Sequence, residues 1–156
     1  MTLLSPLLAL LILFQPEMNG LESFFNGRTE GRGSVKIMLS GTSAIQSVGN
    51  GRIEPNGTLV LEHVVRQAGE PERRRTWRMR RVSTGRYSGT ISDGRGPVTG
   101  EIHGNRFHVT YRTKDGYGVD QWLTIDRGGR TASSRTTFSK LGVTVATAEE
   151  RITKVN

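Results

Sequence analysis

Val98-Thr99-Gly100-Glu101-Ile102-His103-Gly104-Asn105-Arg106-Phe107-His108-Val109-Thr110-Tyr111 is the stretch that decides the fold. Val98, Gly100 and Ile102 alternate with polar residues, and beyond Gly104-Asn105 the same rhythm continues in Phe107, Val109 and Tyr111. Successive side chains of a strand point to opposite faces, so a period of two marks half-buried strands. The Gly-Asn pair supplies the backbone freedom of a tight reversal. The stretch reads as an antiparallel hairpin.

The unit recurs in both directions. Leu59, Leu61, His63 and Val65 share one face upstream, as do Tyr87, Gly89 and Ile91. Val119, Gln121, Leu123 and Ile125 repeat the pattern downstream. Turn dipeptides punctuate the chain at Asn26-Gly27, Asn50-Gly51, Asn56-Gly57, Asp93-Gly94, Asp115-Gly116 and Gly128-Gly129. The spacing predicts strands near 30–38, 43–49, 57–67, 73–82, 86–92, 97–103, 106–113, 119–127, 131–139 and 143–154, with no useful helical period after residue 25. A sheet of about eight to ten strands must close or split into two layers. Consecutive hairpins with short turns favour an all-β, antiparallel up-and-down barrel over a Greek-key sandwich. Gly89 and Gly100 would let its strands bend sharply.

Composition supports this and narrows the chemistry. Twenty glycines and five prolines in 156 residues argue against a helical bundle. With no cysteine, a disulfide framework, a thiolate metal site and a thiol nucleophile are excluded. Twenty-two basic against fourteen acidic residues give +8, a charge suited to anionic partners. Leu3 to Phe14 is apolar almost throughout, too short for a spanning helix and matched to the apolar region of an export signal. Residues 1–20 are therefore expected to be a hydrophobic signal or anchor segment with a short linker, and 21–156 a single barrel domain. An export signal implies the cell envelope, periplasmic or membrane-associated. Without export the protein would be cytoplasmic.

The ordered set Leu21-Glu22-x-Phe24-Phe25-Asn26-Gly27, Leu61-Glu62, Trp77-Arg78, Gly85-Arg86-Tyr87-Ser88-Gly89, Asp93-x-x-Gly96-Pro97-x-x-Gly100-Glu101, Gly104-Asn105, Tyr111 and Lys140-x-Gly142-Val143 resembles a bacterial envelope family, domain of unknown function 3833. The resemblance covers about residues 21–154. It implies a calycin-like, lipocalin-type barrel. It also implies a link to lipid, since many members are lipoproteins and their genes often neighbour enzymes that modify membrane fatty acids. It brings no catalytic residue. This chain departs from it in lacking the lipoprotein cysteine and in carrying Thr124-Ile125-Asp126-Arg127, with Trp122 nearby, in place of an acidic-aromatic stretch.

No nucleophile elbow, phosphate-binding loop, dinucleotide fingerprint or zinc-protease motif occurs. His63, His103 and His108 are too few for a histidine metal triad, and His103 and His108 read as strand-surface residues. No metal and no cofactor is expected. If Val60 and Val64 point inward, Glu62 stands inside the barrel and needs an arginine, with Arg78 the candidate, or a proton. If Leu59, Leu61 and Val65 point inward, Glu62 is a surface residue. Six arginines surround Trp77 and Met79. Arg73, Arg74, Arg75, Arg80 and Arg81 read as an anionic-surface stripe, as a solvated edge, or as a nucleic-acid groove, the last disfavoured by the few aromatics.

The leading expectation is a non-enzymatic binder or carrier of an apolar or acyl-lipid ligand. Trp77, Met79, Tyr87, Phe107, Tyr111, Trp122 and Leu123 would form its wall, and Glu62, Arg78 and Arg112 its polar contacts. An anionic membrane surface is a second expected partner. The alternatives are a lipid-modifying enzyme built on Glu62, Glu101 or Asp126 with an arginine, and a basic or solid-cored scaffold that binds an anionic polymer or another protein.

Overall fold

The structure, a computed structural model, describes residues 20–155. The expected signal or anchor in Leu3 to Phe14 lies outside the described residues. A short helix, α1 (Leu21–Phe25), precedes ten strands: β1 (Gly27–Ile37), β2 (Gly41–Ile53), β3 (Leu59–Gln67), β4 (Arg73–Ser83), β5 (Arg86–Ile91), β6 (Gly94–His103), β7 (Arg106–Thr113), β8 (Gly118–Ile125), β9 (Thr131–Lys140) and β10 (Val143–Val155). Each strand pairs antiparallel with its neighbours in sequence, and β1 pairs with β10 from Arg28↔Val155 to Ile37↔Ala146. The sheet is a closed barrel, so no strand keeps a free edge.

All ten expected strands are present. The main differences lie in β2 and β6. Asn50-Gly51, expected as a turn, runs inside β2. Gly51 is needed there for a different reason, because a Cβ would collide with the Phe25 carbonyl at the end of α1. The register shifts between Arg95 and Thr99, where Gly96 and Pro97 form an irregularity that admits a proline without a ladder donor. Gly89 and Gly100 face the barrel interior. A Cβ on Gly89 would strike the Arg78 carbonyl, and one on Gly100 would lie 3.2 Å from Tyr87 Cβ. These glycines make room for Met79 and Tyr87.

Strand direction alternates, so the connections divide between two ends. The turns at 38–40, 68–72, 92–93, 114–117 and 141–142 share one end. Helix α1 and the turns at 54–58, 84–85, 104–105 and 126–130 share the other. At the α1 end Leu21, Phe24, Leu59, Met79, Tyr87, Phe107, Leu123 and Ile152 belong to the buried core. That end is plugged. Lys154 Nζ donates to the carbonyls of Ser23, Phe24 and Asn26 at 2.8, 2.9 and 3.1 Å, fixing α1 to the final strand. Tyr87 donates its hydroxyl proton to Glu22 (2.6 Å) and accepts from Arg81 (2.7 Å). Burial, reinforced by the Glu22 carboxylate, pushes the Tyr87 phenol up to about 12.

Candidate functional site

Odd-numbered residues of β3 and β4 point inward, carrying Leu59, Leu61, His63 and Val65 on β3 and Arg73, Arg75, Trp77 and Met79 on β4. Above the plug these side chains border a cavity of about 720 Å³ that reaches the opposite end of the barrel. Val35, Ile37, Ile45, Phe138 and Ala148 give it one apolar side, while the β3–β8 wall adds polar groups. The site is a lumen lined by both apolar and polar side chains.

A charged group in its wall is Arg75, whose side chain is only 16% exposed. Its Nη1 donates to the Tyr111 hydroxyl at 3.3 Å and lies 3.7 Å from Asp93 Oδ2. His63 stands directly across the β3–β4 ladder from Arg75. His63 borders the cavity, and its Nδ1 is buried without a partner. Burial, with the Arg75 charge adding to it, lowers the His63 imidazole from 6.5 to about 3. His63 is therefore neutral at physiological pH. Arg75 Nε and Asp93 Oδ1 are likewise buried without partners.

A second polar group lies on the facing wall. Ser47 donates to Glu150 across β1, and the space for this contact exists because Gly31 sits between them, where a Cβ would strike both side chains. Burial raises the Glu150 carboxyl above the usual range, against the opposing effects of Ser47 and Arg75. Gln121 donates to Ser134 at 2.9 Å on the neighbouring wall. Burial also raises the Tyr111 phenol, which keeps it a neutral hydrogen-bonding group.

The expected wall residues fall into three places. Trp77, Met79, Tyr111 and Leu123 line the cavity. Tyr87 and Phe107 are buried in the core toward the plug. Trp122 is on the outer face, stacked on His108 with ring centroids 4.2 Å apart and covered by Arg106 at 4.1 Å, because its even position on β8 points away from Gln121 and Leu123. The expected polar contacts also change. Glu62 is exposed and accepts from Thr76 at 2.8 Å, and Arg78 pairs outside with Glu54 at 2.9 Å. Arg112 is exposed as well. Leu59, Leu61 and Val65 point inward, which puts Glu62 outside.

The arginine stripe is not one surface. Arg75 is in the lumen and Arg73 at its mouth, while Arg74 pairs with Glu72 at 2.9 Å. Arg81 sits at the plugged end near Glu22, and Arg80 is exposed. Glu101 lies 3.4 Å from His103, and Asp126 is bound by Thr131 and Arg151 in the closed-end turn, so neither shares the cavity with Arg75. His63, Arg75, Asp93 and Glu150 were not among the expected ligand contacts. The parity of Leu61 and Trp77 was the signal for the first two. Nothing local to Asp93 or Glu150 marks them, since they arrive from a turn and from the far end of the chain.

The fold recurs in solved structures. The S-type phycobiliprotein lyase CPES from Guillardia theta superposes with a TM-score of 0.70 at 4% identity, over 85% of this chain and 89% of the lyase. Rv2717c from M. tuberculosis gives 0.66 at 16% identity, over 86% and 94%. These likenesses establish the barrel fold. No curated protein matches the sequence. The family model described as protein of unknown function DUF3833 matches residues 14–154, and the chain belongs to that family.

Proposed function

We propose that the barrel binds, and carries within the bacterial envelope, an acyl compound with a small acidic head. The observation behind this reading is Arg75: a guanidinium only 16% exposed, set at the edge of a largely apolar cavity and held by the neutral Tyr111 hydroxyl at 3.3 Å and, more loosely, by Asp93 at 3.7 Å. A buried charge is costly unless it is well paired, and a ligand carboxylate in the cavity would complete the pairing of its Nη groups. Tyr111 offers a hydroxyl beside it, and His63 a neutral ring. The side formed by Val35, Ile37, Ile45 and Phe138 would take the alkyl chain. The likeness to a phycobiliprotein lyase supports a barrel that hosts a small ligand. The reading requires no reaction, and Glu62, Glu101 and Asp126, the carboxylates of the enzymatic alternative, lie outside the lumen.

Displacement of a fluorescent fatty acid by unlabelled acids and by alcohols of the same chain length tests it. Arg75→Met should weaken the acid about 10- to 100-fold, the value of one charged hydrogen bond, and leave the alcohol nearly unchanged. Equal affinity of the wild-type protein for acid and alcohol, or no uptake of either, would refute the acidic-head reading. Native mass spectrometry of protein from its own host would then identify any copurifying ligand.

A further inference from the structure

Two neighbouring hairpins at the open end break the rule that the closed end keeps. At the closed end the connections are built from Asn56-Gly57, Gly85, Gly104-Asn105 and Gly128-Gly129, polar or glycine residues suited to exposed reversals. At the mouth, the β1–β2 tip is Met38-Leu39-Ser40 and the β9–β10 tip is Leu141-Gly142. Leu39 and Leu141 are 105% and 97% exposed. They are also the only non-glycine residues with positive φ among the described residues, at 67° and 51°. A leucine in that conformation is strained, and Asn or Gly would relieve the strain. Each tip therefore spends stability twice, once on backbone and once on an apolar side chain held in water.

The two tips form one feature. Strands β1 and β10 are paired, and the Met38 amide donates to the Val145 carbonyl at 3.0 Å, which ties the hairpins side by side. Met38 and Val143 add 57% and 58% exposed apolar side chains beside the leucines. The segments 36–42 and 139–144 contain no acidic residue, and each carries an exposed lysine, Lys36 and Lys140. The acidic rim residues, Glu70, Glu72, Asp93 and Asp115, sit on the β3–β4, β5–β6 and β7–β8 turns, away from these two hairpins. Three more exposed apolar residues, Ile53, Val82 and Val155, are at strand ends around the plugged end and not at turn tips.

We propose that the Leu39 and Leu141 hairpins insert into the interface of an anionic lipid bilayer and set the cavity mouth on that surface. Leucines at the tips suit the boundary between headgroups and acyl chains, while lysines behind them suit anionic headgroups. Ile37, Phe138, Val145 and Ala146, which lead from these hairpins into the cavity, would give an acyl chain a continuous apolar path from the bilayer. The docking surface deepens the acyl-carrier reading and rests on it for its purpose, but the docking itself stands or falls separately.

The absence of cysteine allows a position-specific test in the full chain. Leu39→Cys, Leu141→Cys and, at the plugged end, Asn56→Cys would each carry one environment-sensitive fluorophore. Each would be mixed with vesicles of phosphatidylcholine alone or with added phosphatidylglycerol. The expected result is a blue shift at positions 39 and 141 with anionic vesicles, little shift with neutral ones, and none at 56. No shift at 39 and 141, or a shift at 56 as large as theirs, would overturn the proposal. So would an equal response to neutral vesicles. The paired variant Leu39→Asn with Leu141→Asn should reduce vesicle binding at least tenfold while its melting temperature holds or rises. Unchanged vesicle binding in that variant would also overturn the proposal. Fatty-acid displacement on the same proteins separates the two readings: tip insertion without fatty-acid binding keeps the docking surface and rejects the acyl cargo.

Discussion

At His63 the barrel holds an imidazole that refuses a proton, and this has a measurable cost in acid. Its folded value of about 3 lies below the ordinary 6.5, mainly through burial and secondly through Arg75. The unfolded chain takes up a proton there that the folded chain does not. The stabilisation is therefore complete above pH 6.5 and is lost as pH falls from 6.5 toward 3, by up to about 1.4 kcal/mol per pH unit. Urea denaturation at stepped pH should show a wild-type decline steeper than that of His63→Gln, and parallel curves would contradict the assignment. The sequence already held half of this site. His63 shares parity with Leu61, and Arg75 with Trp77, so the alternation that defines the strands also selects the lumen residues. Glu62 was the tempting choice because a carboxylate flanked by valines draws attention, yet the valines at 60 and 64 share its outward parity. Glu150 and Asp93 were not legible, because only barrel closure and a turn across the mouth bring them near Arg75.

At the scale of elements, most strands were legible almost to their ends because every turn except the β1–β2 and β9–β10 tips uses standard residues. Asn50-Gly51 misled for a physical reason: its glycine serves close approach to α1, not a reversal. The helix itself is five residues long, too short to persist alone, and depends on what it touches. Lys154 supplies a large part of that support by capping three carbonyls near its C-terminal end. Lys154→Met should lower stability by about 1.5–3 kcal/mol, the range for hydrogen bonds to a charged group. The amides of Phe24 and Asn26 should also exchange faster in that variant. Unchanged exchange at those two amides would show that side-chain packing alone holds the plug.

The molecule as a whole is a barrel closed at one end and hollow toward the other, and a filled-lumen variant reads out that hollowness. Val109 is buried and lines the cavity. Val109→Phe should abolish uptake of the fluorescent acid while leaving the melting temperature nearly unchanged, because the added ring enters space already present. A solid core would instead lose about 1–3 kcal/mol from overpacking. A large loss of stability with uptake retained would argue against a usable lumen. The sequence could place the strands around such a space but could not show that it is empty, since volume depends on how facing walls meet.

The pairing of β1 with β10 also governs how the protein comes into being. Every other strand contact joins neighbours in sequence and can form as the chain emerges, but Arg28 must wait for Val155. Until the final strand is synthesised, β1 presents an unpaired edge, and α1 lacks the lysine that latches it. A growing chain of this kind has an interval in which it can pair with copies of itself. Closing so long a loop is slow, so that interval scales with the time to finish and seat β10. Its biogenesis should therefore depend on factors that shield nascent strand edges, and the lumen is complete and able to load only at the last step.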